Sequence, residues 1–226
     1  MSGGAGVTYD RYSVAGFEEW MMRIGRAQAP PVLFVPPLFE EMNRSRALIA
    51  ATMRALAARG FACWLPDLPG TGESERALPD VSWDDWRHGV SEAADHAAAA
   101  SGRAPIVAAI RGGCLLDDAA EGVGHWRLAP VAGAAVAREM ERSGAAGGIA
   151  WAGYEPSPDL RANLTAAEPA ELANLRTLRL AHDRAEADTW IEGPALWRRS
   201  EPGTSSELAA AAAADIAEWA KRCAGS

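Results

Sequence analysis

No stretch of this 226-residue chain approaches the roughly 18 consecutive apolar residues that a membrane span requires. The first ten residues, Met1 to Asp10, carry neither a basic start nor an apolar core of the kind that directs export. A cytoplasmic protein without membrane insertion is therefore expected. Cysteine is scarce. Cys63, Cys114 and Cys223 are odd in number and far apart, without the paired spacing of a zinc site or a disulfide framework, so reduced thiols and no metal are expected. Clusters of Lys and Arg are also missing, and a net charge of −8 argues against a nucleic-acid partner. The chain has no third glycine to complete a dinucleotide fingerprint after Gly70 and Gly72, and no Gly-Lys-Ser or Gly-Lys-Thr of a phosphate loop, so no cofactor is expected. Neither a linker nor an internal repeat divides it, and one domain over 1–226 is the simplest reading.

What is present is alternation. Pro31–Val35, Phe61–Pro66 and Pro105–Ile110 are short apolar runs, as expected of strands buried on both faces of a parallel sheet, and Trp126–Leu128 continues the pattern. Between them, Ser45–Arg59 has Leu48, Ile49, Met53 and Leu56 at helical spacing with Gly60 as its stop. Ser82 is a plausible cap, with Asp84 and Asp85 in the first turn, for a helix reaching about Ala100. Further helices are predicted over Gly112–Ala120, Gly133–Arg142 and the Ala-rich tract from Leu208, with Ser205 as its cap. Further strands are predicted over Gly148–Ala152, Arg176–Ala181 and Ala195–Arg198. Asp188–Ile191 fits a strand or a loop, and the stretch from Tyr154 to Leu175 has room for only one or two short helices. The pattern predicts a doubly wound, mostly parallel sheet with helices on both faces and no large cap domain.

The chemistry centres on Ala109-Ile110-Arg111-Gly112-Gly113, a small-x-x-x-Gly turn between a strand and a predicted helix. Such an elbow presents its middle side chain at the top of the sheet beside amides able to hold an oxyanion. Here that side chain is an arginine, a permanently protonated fork of donors and no nucleophile. The loop after the first buried strand, Pro36 to Ser45, brings Glu40 and Glu41, and carboxylates there oppose developing negative charge. Arg111 is the natural partner for one of them through a planar bidentate pair. Equally, either acid could stabilise the N-terminus of the following helix, and both roles can hold together.

A base is missing as well. None of His88, His96, His125 and His182 follows the last predicted strand, where Pro202–Ser206 stands instead. His182 beside Asp183 resembles a base and its orienter but lies upstream of the expected place, while His88 and His96 are read as solvent-facing on one helix. Cys114, just past the elbow, reads as a small buried hydrophobe, with a thiolate nucleophile as the alternative. Nine tryptophans exceed what core filling often needs. Trp83, Trp86, Trp126, Trp151 and Trp197 could line a pocket, although packing is the default for each.

The segment Asp67-Leu68-Pro69-Gly70-Thr71-Gly72-Glu73-Ser74 resembles the D-x-x-G-x-G-x-S loop of the α/β-hydrolase fold, and is read as a Gly-rich turn rather than a site with a catalytic Ser74. Together with Pro36 to Asn43, the arginine elbow and Pro130-Val131-Ala132-Gly133, it makes most of the chain similar to exosortase A system-associated hydrolases of the second type. The run Glu192 to Trp197 is also similar. That resemblance implies an α/β-hydrolase-like fold, a bacterial setting beside protein sorting and exopolysaccharide production, and an arginine elbow common to the group. The site expected is Arg111, Glu40 and Glu41, with Asn43 and the Gly112 and Gly113 amides alongside. The first functional expectation is a degenerate or non-standard hydrolase that recognises a carboxylate- or acyl-bearing ligand through Arg111. A non-catalytic ligand-binding or scaffold protein is the second, and a thiol hydrolase using Cys114 the third. Self-association is left open.

Overall fold

The computed structural model describes residues 6–147, 150–199 and 201–225. Its eight strands are β1 (Val7–Val14), β2 (Phe17–Ile24), β3 (Pro31–Val35), β4 (Ala62–Pro66), β5 (Ile106–Ile110), β6 (Gly124–Leu128), β7 (Leu175–Leu180) and β8 (Thr189–Ile191). They form one sheet in the order β1-β2-β4-β3-β5-β6-β7-β8. β2 runs antiparallel to β1 and β4, and every pairing from β4 through β8 is parallel. The helices are α1 (Glu40–Ala57), α2 (Trp83–Ser101), α3 (Gly133–Gly147), α4 (Pro158–Ala166) and α5 (Ser206–Ala224).

The alternating strand residues sort these helices onto two faces. Val32 and Phe34 of β3 look toward Leu48 and Met53 of α1 and Leu208 and Ile216 of α5. Leu33 and Val35 look the other way, toward Trp86 and Val90 of α2, Val136 of α3 and Leu164 of α4. All five residues of β3, β4, β5 and β6 are buried, as a parallel sheet covered on both sides demands. α2 is closed at its start by a reciprocal capping box between Ser82 and Asp85, and at its end by Gly102 in the left-handed conformation at φ +70°. Ser205 caps α5 by accepting from the Leu208 N–H. Between β6 and β7 stand only α3, α4 and a short turn, so the expected doubly wound sheet without a large cap domain is what forms.

Four local expectations differ from what the chain does. The stretch Gly112–Ala120 is not a helix but two 3-10 turns, Arg111–Leu115 and Asp117–Ala119, broken at Leu116. Two successive glycines are poor helix formers, and Asp117 turns inward to bind Arg127. The predicted strand Gly148–Ala152 lies partly outside the described residues, and its remainder belongs to a 3-10 turn over Ala150–Gly153. Ala195–Arg198 is likewise no strand, its last three residues forming a 3-10 turn. Finally, α1 begins five residues early, at Glu40. A hairpin absent from the sequence reading, β1 and β2, opens the sheet through Ala15-Gly16, both at positive φ as a tight two-residue turn requires.

Behind β6 lies a closed ion pair. Arg127 donates through Nε and Nη2 to the two oxygens of Asp117 at 2.7 and 2.8 Å, and through Nη1 to the Ala170 carbonyl at 2.8 Å. The Asp117 side chain is fully buried, and burial pushes its carboxyl above the usual range while Arg127 pulls it back. Removing one partner strands the other charge in the interior. Arg127→Met is expected to lower stability in urea denaturation by about 3–5 kcal/mol, with Asp117→Leu/Arg127→Met recovering most of it. A single-variant loss indistinguishable from zero would show that water reaches the pair.

Candidate functional site

At the carboxyl edge of the sheet, β3 and β5 are neighbours whose connections leave in opposite directions, β3 through α1 to β4 and β5 through the 3-10 turns to β6. Open α/β sheets hold their ligands in the crevice at such a switch point. Two segments meet there. The loop after β3 passes through Pro36 and Pro37, turns sharply at Phe39 (φ +53°) and enters α1 with Glu40 and Glu41 in its first turn. The elbow after β5 places Arg111 at φ +56°, a left-handed conformation that side chains other than glycine seldom adopt.

The two segments are joined by one carboxylate. Glu41 Oε1 accepts from Arg111 Nε at 2.9 Å and lies 2.8 Å from Nη2, while Oε2 accepts from the Gly112 N–H at 3.1 Å. Glu41 is only 4% exposed. A third guanidinium nitrogen, Nη1, reaches the Ala129 carbonyl at 3.4 Å, and the Trp197 ring centroid lies 5.3 Å from the guanidinium carbon. Gly113 serves by lacking a side chain, since a Cβ there would come within 2.6 Å of the Val35 carbonyl and 2.7 Å of the Pro36 carbonyl. The N–H after an elbow residue is the donor a hydrolase aims at its oxyanion. In this chain an internal carboxylate already holds it.

Glu40 goes elsewhere. Its Oε1 accepts from Asn43 Nδ2 at 3.1 Å and from the Tyr154 hydroxyl at 3.2 Å, and Arg44 lies 3.9 Å away. Asn43 also donates to the Tyr154 oxygen at 3.0 Å. Burial, with the nearby Glu40 charge, raises the Tyr154 phenol pKa. Asn43 therefore sits in a cluster of its own above α1 and has no hydrogen bond to Arg111. Because the predicted helix Gly112–Ala120 is replaced by 3-10 turns, the Gly112 and Gly113 amides do not stand at the N-terminus of an α-helix.

Of the other candidates, His182 and Asp183 border a cavity beside Arg111, while Cys114 does not. Cys114 is wholly buried, and burial pushes its thiol well above the ordinary value, with Asp117 adding to the effect. His182 is exposed, and among the described residues it makes no hydrogen bond to Asp183. Asp183 follows β7 and is held instead by the Ala185 N–H at 3.0 Å and Arg179 Nη1 at 2.9 Å, which lower its carboxyl pKa. His88 is exposed, whereas His96 is half-buried with its ring 5.4 Å from Trp64, edge to face, rather than solvent-facing. His125 is buried 3.9 Å from Asp117, and burial lowers its pKa. Ser74 fastens the Asp67 loop, its Oγ donating to Glu19 and accepting from the Gly70 N–H. A Cβ at Gly72 would collide with the Asp67 carboxylate, which itself accepts from the Glu73 N–H. The Gly-rich loop is thus a folded turn at the carboxyl edge, as its glycines suggest. Of the five tryptophans proposed as lining, Trp86 and Trp197 border cavities at this edge, and all five are buried.

Beside Arg111, a cavity of about 140 Å³ is bordered by Ala129, Leu180, His182, Asp183, Arg184, Ala195, Trp197 and Arg198. Arg184 and Arg198 were not anticipated as site residues. They lie in a polar stretch after β7 and in the 3-10 turn after β8, and nothing in either local pattern indicates that the two turns converge. Among the described residues, no three His, Cys, Asp or Glu side chains are grouped as a metal ion would need, and no helix is long and apolar enough to cross a membrane.

No family model and no curated protein matches the chain. Among solved structures, an epoxide hydrolase from Vigna radiata aligns over 54% of this chain and 40% of its own, at 18% identity and a TM-score of 0.41. A laboratory-evolved variant of potato epoxide hydrolase aligns over 54% and 40%, at 20% identity and a TM-score of 0.42. The aligned part thus spans well under two thirds of those longer chains. What assigns the architecture is this chain's own sheet, with its single antiparallel entry and its sharp elbow after β5: the fold is α/β-hydrolase-like.

Proposed function

We propose that this chain is a non-hydrolytic protein of α/β-hydrolase-like fold that binds a small carboxylate- or acyl-bearing ligand at the carboxyl edge of its sheet, beside Arg111. The observation that carries the reading is the Glu41 carboxylate, seated on both the Arg111 guanidinium and the Gly112 N–H. An acyl-transfer site must stabilise an oxyanion at that amide, and a fixed negative charge in the same place raises the barrier instead of lowering it. The elbow position holds an arginine, which is no nucleophile, and His125, 3.9 Å from Asp117, is buried beside a carboxylate already bound to Arg127. The degenerate-hydrolase reading keeps the fold and loses the chemistry. The thiol alternative is weaker, because Cys114 has no exposed sulfur and its environment favours the protonated form.

The similarity of Pro36 to Asn43 to exosortase A system-associated hydrolases supports a bacterial, cytoplasmic setting beside exopolysaccharide production. A binding or scaffold role there needs no metal or cofactor, and self-association is compatible with it.

Two measurements test the reading. Purified protein should neither hydrolyse short acyl esters and thioesters above background nor take up a fluorophosphonate label; label on any serine, or ester turnover abolished by Arg111→Ala, would restore the hydrolase. The Glu41 lock is also open to test by stability. Glu41→Ala leaves a largely buried guanidinium and a buried N–H without their acceptor, and should cost about 3 kcal/mol in urea denaturation, while Glu41→Leu/Arg111→Met recovers most of the loss. Equal losses in the single and double variants would mean that the pair itself is not what holds the two loops together.

A further inference from the structure

The cavity beside Arg111 has an unusual charge balance for a chain with a net charge of −8. Three arginines, Arg111, Arg184 and Arg198, border it together with His182, against a single acid, Asp183. Two of the charges present there are already matched from outside the cavity. Glu41 neutralises Arg111, and Arg179 neutralises Asp183. Arg184 and Arg198 remain, and neither side chain makes a hydrogen bond or ion pair among the described residues; Arg198 bears on Asp183 only through its field. Both residues are exposed, so each guanidinium can turn toward the cavity without unfolding anything. Two unpaired cations border one small space, and their charge matches a ligand of two negative charges.

The geometry points to a phosphate monoester as the ligand of this cavity, its doubly charged head held between Arg184 and Arg198. The assignment rests on the ligand-binding reading above and departs from it in the head group, a phosphate in place of a carboxylate. Guanidinium forks match phosphate oxygens bidentately, and a phosphate monoester carries close to two negative charges near neutral pH. A lone carboxylate would leave one arginine unmatched. The volume, about 140 Å³, is the room of four or five waters at ~30 Å³ each, enough for a tetrahedral head and the first atoms of the group it is attached to. Trp197 and Ala129 supply an apolar wall there, 4% and 3% exposed. Arg111 keeps Glu41 on one edge of its guanidinium and borders the cavity with the rest. No bond is made or broken in this site. It holds the head group, and the elbow beside it does not attack.

The test is isothermal titration calorimetry on the full chain with phenyl phosphate, inorganic phosphate and benzoate. Phenyl phosphate is expected to bind saturably and more tightly than benzoate, with an affinity that falls as salt is raised. Arg184→Ala and Arg198→Ala should each weaken it by about tenfold or more, the effect of losing a charge-assisted hydrogen bond. Arg103→Ala, an exposed arginine at the opposite edge of the sheet, should leave it unchanged. Inorganic phosphate binding as tightly as phenyl phosphate would still support the head-group site and place the attached group outside it. Benzoate binding as well as phenyl phosphate, no saturable binding, or binding indifferent to Arg184→Ala and Arg198→Ala would overturn the assignment. Ester turnover, read in its own assay, would count against the non-hydrolytic reading and is distinguishable from every one of these outcomes.

Discussion

The carboxylate of Glu41 is the constraint on which the carboxyl edge of this sheet depends. It bridges the loop after β3 and the elbow after β5, the two segments that flank the switch point, and it does so from a position nearly closed to water. Its location accounts for two features that would otherwise be costs. Arg111 stands in a left-handed conformation that destabilises a side chain of its size by about 1–3 kcal/mol, and the bonds to Glu41 and Ala129 offset that strain. Glu41 itself lies in the first turn of α1, where the helix dipole favours an acid, so the same carboxylate is stabilised from its own backbone and from across the crevice. A low local dielectric strengthens each of these contacts and raises the penalty for leaving any of them unmade.

The ion pairs around β5 to β8 divide according to what encloses them. Asp117 with Arg127 is sealed beneath the sheet edge and has no further valence to offer, because the remaining arm of the guanidinium is spent on the Ala170 carbonyl. Asp183 with Arg179 is half open, and a backbone N–H completes it. Glu41 with Arg111 is closed on one side and borders a cavity on the other. Arg184 and Arg198 have no such partner among the described residues. Acid outnumbers base over the whole chain, so cations left unmatched at the carboxyl edge stand against the general field of the molecule rather than with it.

Much of this architecture is legible in the sequence because burial and period agree. Continuous apolar runs bounded by proline or glycine mark β3 to β5, Ser82 with Asp85 marks the start of α2, and an arginine at an elbow near two glutamates announces an ion pair, since a guanidinium held off solvent needs an acceptor. The sequence leaves open which glutamate answers. That is decided by where α1 begins: starting at Glu40, the helix turns Glu41 toward the elbow and leaves Glu40 beside Asn43 and Tyr154. The 3-10 turns after the elbow escape a reading based on helical spacing, for Asp117 gains more from Arg127 than a regular helix would give it. The β1–β2 hairpin escapes because Ala15-Gly16 lacks the Asn or Asp that announces such a turn. Arg184 and Arg198 escape for a different reason. Their neighbourhood reads as ordinary polar loop, and only the tertiary path of two turns after β7 and β8 brings them to one cavity.

That path also sets what the strand ends at this edge present. A hydrolase needs one strand end to present a nucleophile and two others to supply acid and base, and each demand is local. Here the end of β5 presents a cation, the acid after β7 is committed to Arg179, and the turn after β8 brings Trp197 over the guanidinium where a base would be needed. At these positions the chain presents a donor, a fixed charge and a flat apolar wall. On the non-hydrolytic reading, Arg111→Ser alone would not give catalysis, because the Gly112 N–H would still face the Glu41 carboxylate. The two loops are coupled through Glu41, and on the reading proposed above that coupling favours binding over attack at this edge.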